Sequence, residues 1–275
     1  MGDRSDEQGH LRNPAGRLYL LLDFCMHEGQ PNGAILKTLT KYLEVPNEYS
    51  PTLFRALADW NEQPQLMRSE VEALTNPALS HEELLEDLPQ VEAALYDLTS
   101  YAGNSLDHAL RHYDKGTLRG LRHTSFILNG ASGFKIPIPD DKLDEVKDLA
   151  EALIASLASD SVLDPGLRRM LYEHADAIRR SVDLYRVGGL DAVLGEFDRL
   201  MGFLNRRPEL RAAVVKEPKL KKAVGGLLIA LNLLAGLGNA AVALEQGVGG
   251  FMELTSLTSM TETIAPGATG EGDLA

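Results

Sequence analysis

With 275 residues, 44% of them hydrophobic, the chain is long enough to bury a sizeable core and too apolar to be disordered. A formal net charge of −13 removes the basic footprint that nucleic-acid binding needs. The single cysteine, Cys25, excludes an intrachain disulfide and a cysteine-based zinc site, and it points to a reducing compartment.

Aromatic residues are only 6% of the chain while Leu and Ala dominate, so the core should be built from helices rather than sheets. The first twelve residues are polar, lack the apolar run of a signal peptide, and read as a disordered lead. Asn13 followed by Pro14 is a cap with a proline at the first helical position, and Leu18, Leu21, Leu22 and Cys25 share the face that follows. A second helix over Ala34 to Glu44 buries Ile35, Leu36, Leu39 and Leu43. Ser50-Pro51 opens a third, expected to end near Asn61 ahead of Pro64, and a fourth runs from Gln65 to about Asn76.

Ser80 and Glu83 form a capping box for a helix to Tyr101, with Pro89 predicted to kink it. Its acidic run from Glu82 to Asp97 reads as a solvated face. Ser105 to Asn129 is helical with a break at Gly116, and the Gly/Pro-rich passage 130–139 reads as a linker. Beyond it, Leu143, Val146, Leu149, Ala150, Leu153 and Leu157 make an apolar stripe over Asp141 to Ala158. Asp164-Pro165 starts a long helix to Gly188-Gly189, Leu190 to Asn205 follows, and Pro208 and Pro218 each open another helix. No strand of alternating residues and no internal repeat is present. The expectation is an all-α bundle of nine or ten helices. Its parts are an N-terminal module 13–129, the linker 130–139, a second bundle 140–252 holding a hydrophobic helix 218–252, and a disordered acidic tail 253–275.

Ala223 to Leu244 is the stretch on which function turns, because it carries no formal charge in a chain otherwise rich in charge. Asn232, Asn239, Gln246 and Glu253 recur at heptad spacing and draw a polar line along the apolar helix that includes Leu228, Leu231 and Leu234. Lys216, Lys219, Lys221 and Lys222 flank its start, whereas Glu245 to Ala275 holds acids and no Lys or Arg. At 1.5 Å per residue the stretch measures about 33 Å, enough to cross a bilayer core. Its Leu, Ile and Val residues supply only about −3 to −6 kcal/mol of insertion energy, which the asparagines and glycines oppose.

Two readings follow. In the first, the chain is a non-enzymatic bacterial protein acting by association, whose late helix enters the inner membrane when triggered, as a toxic or phage-defence effector. In the second, it is a cytoplasmic scaffold or adaptor, with the same helix as core or as the seam of a homo-oligomer. A protein partner or self-association is expected in both, and no cofactor.

Other candidate chemistry is thinner. His108 and His112, with Asp107, Asp114 and His123 nearby, have part of a metal-ligand set but no HExxH frame. Gly130 to Gly133 lacks the phosphate-loop pattern. Ser125, Ser132, His123 and Asp140 lack a nucleophile elbow, Cys25 sits on an apolar face, and Trp60 reads as a core or interface anchor. No catalytic residue and no metal ligand is expected.

Two segments, NPAGRLYLLL from Asn13 to Leu22 and DPGLRRMLYEHADAIRRSVDLYRVGGLDAVL from Asp164 to Leu194, each with the helices after it, resemble a loose group of bacterial all-helical proteins. That group has no established activity, so the resemblance implies an all-α fold and transfers no functional residue.

Overall fold

The computed structural model describes residues 9–75, 77–100, 105–131, 138–158 and 163–238. Among these residues the fold is all-α, with a single isolated bridge between Ala34 and Ser105 and no strand. The first half comprises α1 (Pro14–Glu28), α2 (Ile35–Leu43), α3 (Pro51–Glu72), the single turn α4 (His81–Leu84), α5 (Leu88–Ser100), the single turn α6 (Asp107–Leu110) and α7 (Lys115–Ala131). The second half comprises α8 (Asp140–Ala158), α9 (Pro165–Asp183), α10 (Tyr185–Arg206), α11 (Pro208–Lys216) and α12 (Pro218–Gly238).

The local signals act as helix physics requires. Asn13 Oδ1 accepts from Gly16 N at 2.9 Å, the Ser80–Glu83 capping box is complete, and Asp164 caps Gly166 and Leu167.

Several boundaries differ from the sequence expectation, each for a physical reason. Pro64 does not end a helix but lies buried inside the continuous α3. A proline forfeits one backbone bond and crowds the preceding turn. The bond forfeited here is the one to Trp60 O, and Pro64 itself is buried within the first core's helices, so tertiary packing carries the helix through. Pro89 lies in the first turn of α5, where its missing N–H costs nothing, and the chain breaks before it over 85–87. The break foreseen at Gly116 falls at 111–114, because Asp114 Oδ1 accepts from the backbone N of Gly116 and Thr117 and restarts the helix.

Two apolar cores result, and they exchange residues. The first is built around Leu18, Leu22, Trp60 and Leu95 and also takes in Leu184 and Val187 from the start of α10. The second gathers the α8 stripe (Leu143, Val146, Ala150, Leu153, Leu157) with α9 to α12, and takes in Leu11 from the other end of the chain. The twelve-residue lead foreseen as disordered is therefore corrected at its end. His10 and Leu11 are buried, and Asn129 Nδ2 donates to Gly9 O at 3.0 Å. In the passage foreseen as a linker, Gly130 and Ala131 finish α7 and Ile138 is buried in the second core.

Gly189 is the tightest point between the halves. Its φ of +66° lies where side chains are strained, and a Cβ there would collide with Arg17 Nη1. Gly195, farther along α10, has open space around it. Gly189→Ala should destabilise the fold by about 2 kcal/mol or more, through the positive φ and the collision. Gly195→Ala should stabilise it by about 0.5–1 kcal/mol. Urea unfolding of both variants checks this pair.

Candidate functional site

The residues singled out along the late helix divide between two faces of α12. Val224, Leu227, Leu228, Leu231 and Leu234 are buried against α8, with α10 and α11 alongside. A Cβ on Gly226 would stand 3.2 Å from Leu149 Cδ2, a measure of how closely α12 lies on α8. On the opposite face Ile229 is 38% and Leu233 54% exposed, with Asn232 exposed between them. Of the basic flank, Lys216, Lys219 and Lys222 are exposed and Lys221 is half-buried. Asn239, Gln246, Glu253 and the acidic tail lie outside the described residues. Among the described residues no helix is long and apolar enough to cross a membrane.

The other residues considered for chemistry are placed as follows. His108 and His112 do not share a helix, since α6 ends at Leu110. His112 Nε2 stands 2.9 Å from Asp97 Oδ2, Arg111 pairs with Asp107, and His123 is exposed on α7. No group of three or more metal-ligating side chains occurs among the described residues. Ser125 is buried and meets His10 Nδ1 at 3.0 Å, not His123, while Asn13 Nδ2 donates to its carbonyl at 3.1 Å. A Cβ on Gly16 would overlap the His10 carbonyl and the Ser125 hydroxyl, so this buried network packs closely against α1 and fastens the N-terminal strap around His10 and Leu11. Trp60 is a core residue, its ring 6.0 Å from that of Tyr42.

A cavity of about 600 Å³ opens where the two cores meet. Its floor is apolar: Leu11 from the strap, Leu43 from the end of α2, Leu143 from α8, and Val182 with Tyr185 from the α9–α10 corner. Its walls are charged. Arg186 Nη1 donates to Tyr42 O at 2.6 Å and Nη2 pairs with Glu44 at 3.2 Å, while its guanidinium lies over the Tyr42 ring. Lys147 Nζ pairs with Asp183 at 2.7 Å, which raises the lysine's pKa through that hydrogen bond, and Arg179 holds the other Asp183 oxygen at 2.9 Å. Both cations of the cavity are thus engaged within the protein. Asp140 and Asp144 add two carboxylates one helical turn apart on α8.

No family model matches this sequence, and no curated protein or solved structure matches it either. Any function must therefore be read from this geometry.

None of the cavity residues stood out as a site in the sequence, apart from Asp140 in a different guise. The walls come from three stretches far apart in the chain, and no local spacing marks them. Behind the cavity Arg17 is buried to 2% exposure, donating from Nε to Gln63 Oε1 at 3.0 Å and from Nη1 to Leu11 O at 3.2 Å. Burial lowers its pKa, and Asp191 and Glu70 oppose that shift.

Cys25 is fully buried, and desolvation pushes its thiol up to about 12 from 9.0. The unfolded thiol ionises near 9 and the folded one does not. The folded state then holds the extra proton, and stability present below pH 9 is lost as pH rises towards 12. Cys25→Ala should be less stable than wild type at pH 7, yet lose less stability between pH 9 and 11. Denaturant titrations across that range check the difference in slope.

Proposed function

We propose that this chain is a non-enzymatic helical scaffold acting by association, with the late helix as part of its core and the outward face of α12 as its seam to a second copy. The observation that supports this reading is the two-sidedness of α12. One face is sealed against α8, and the other holds Ile229 and Leu233 in water around Asn232. An amide between two apolar side chains suits a helix–helix seam, where it fixes register at some cost in stability. Gly225 and Gly236 lie towards the same side and have no neighbour among the described residues within reach of a Cβ, so the packing of the described residues does not call for them. Glycine in a helix interior costs about 1 kcal/mol against alanine, and close approach of another helix would offset that.

The same burial weighs against conditional entry into a membrane. Releasing α12 would expose Val224, Leu227, Leu228, Leu231 and Leu234 together, each worth about 1.5–3 kcal/mol of burial. That total rivals the whole stability of an ordinary domain and exceeds the few kcal/mol that insertion of the stretch returns.

Analytical ultracentrifugation of the full chain, with membrane fractionation and a carbonate wash in parallel, tests the proposal. The expected result is a concentration-dependent oligomer that does not pellet with membranes. Leu233→Glu and Asn232→Leu should shift the oligomer equilibrium without unfolding the monomer, while Leu228→Glu should unfold the second bundle. A strictly monomeric wild type would defeat the seam. Carbonate-resistant pelleting would restore the membrane reading.

A further inference from the structure

We propose that the basic corner where α11 meets α12 is the docking surface for this chain's own acidic segment 245–275. From Arg206 to Lys222 the sequence holds seven Lys or Arg residues against two acids, Glu209 and Glu217. Lys216, Lys219 and Lys222 are exposed and Arg211 is half-buried, and among the described residues none of these four forms an ion pair. Cations elsewhere are commonly matched, Lys41 with Glu28 and Arg169 with Glu173 among them. Val215, 37% exposed between Arg211 and Lys216 on α11, adds an apolar spot to the corner.

Charge and reach both select the occupant. Beyond Gly238 the sequence holds five acids, Glu245, Glu253, Glu262, Glu271 and Asp273, and no Lys or Arg. The +5 of the corner and the −5 of that segment cancel, so the rest of the chain carries the whole −13. The segment is thus repelled by most of the molecule and attracted by this corner. Gly238 lies 16 residues beyond Lys222, about 24 Å along α12. An extended chain returns over that distance in about eight residues, and Glu253 stands 15 past Gly238. The tether also holds the segment at millimolar local concentration, so individually weak, salt-screened pairs suffice. The corner lies two helical turns before Ile229, so this assignment goes beyond the α12 seam and does not rest on it.

The experiment is lysine acetylation of the full chain, read residue by residue with mass spectrometry, at low salt and at about 1 M salt. Lys37 and Lys115, both exposed in the first half, serve as internal references. The comparison is a chain carrying Glu253→Gln, Glu262→Gln, Glu271→Gln and Asp273→Asn together. At low salt Lys216, Lys219 and Lys222 should react about threefold more slowly in wild type than in that variant, as for a segment docked about two thirds of the time. The references should not change, and the difference should vanish at about 1 M salt. In the reverse direction, Lys216→Gln, Lys219→Gln and Lys222→Gln together should speed cleavage after Glu253 by a glutamate-specific protease about threefold. Carbodiimide coupling of an equal mixture of light and isotope-labelled chains should join the three lysines to segment acids within one chain. Equal lysine reactivity in wild type and the neutralised variant overturns the proposal. So does a difference that persists at high salt, or coupling found only between chains, which would give the corner to the segment of a second copy.

Discussion

A guanidinium buried between two apolar cores is the constraint on which much of this structure depends. Taking Arg17 out of water carries a penalty of several kcal/mol unless its donors are met. Arginine cannot escape by losing its proton. Each partner that meets it is pinned in turn. The Leu11 carbonyl must lie across α1, which seats the Leu11 side chain in the second core. The Gln63 amide oxygen must face Arg17 while its nitrogen serves Asp59 O, and this occurs in the turn before Pro64. Gly189 must lack a side chain and adopt a positive φ so that α10 can pass beside the guanidinium. A strap, a proline-bearing helix and a helix corner are fixed by one side chain.

That constraint explains what could and could not be read from the residues. The apolar stripes, the Asn13, Ser80 and Asp164 caps and the all-α class were legible because their causes lie within a turn or two of chain. The α8 stripe and the late apolar stretch were both visible as surfaces needing cover, and in the fold they cover one another. Arg17 was not legible, because an arginine in the first turn of a helix reads as a solvated charge. Its burial is decided by Leu11, Gln63 and Gly189, the last of them more than 170 residues away. Pro64 was misread for the same reason, since its tolerance goes with tertiary burial rather than with propensity. Gly188-Gly189 was read as a helix end, and a bend does occur there, but the demand for glycine at 189 comes from the opposing arginine.

The cavity belongs to the same junction. Arg186 reaches back from α10 to the end of α2, where Glu44 takes a left-handed conformation at the C-cap and the Tyr42 carbonyl accepts from Nη1. The cavity thus lies between two arginine contacts, Arg17 behind, holding the Leu11 carbonyl of its own half, and Arg186 at the wall, joining the halves through the Tyr42 carbonyl. Planar donors suit that task, because one guanidinium can satisfy several acceptors without moving.

A consequence for α12 follows from these connections. Its buried leucines complete the second core, that core holds the Leu11 side chain, and the same residue's carbonyl satisfies Arg17. Withdrawing the late helix would therefore loosen Leu11 and leave a buried guanidinium short of an acceptor inside the first half. An unmet buried charge is among the costlier single defects a fold can carry. The penalty for releasing α12 thus extends beyond its own leucines to the strap and to the core around Leu18 and Trp60. A helix wired in this way is poorly suited to detach, which is why its exposed face, rather than its buried one, is the face suited to act.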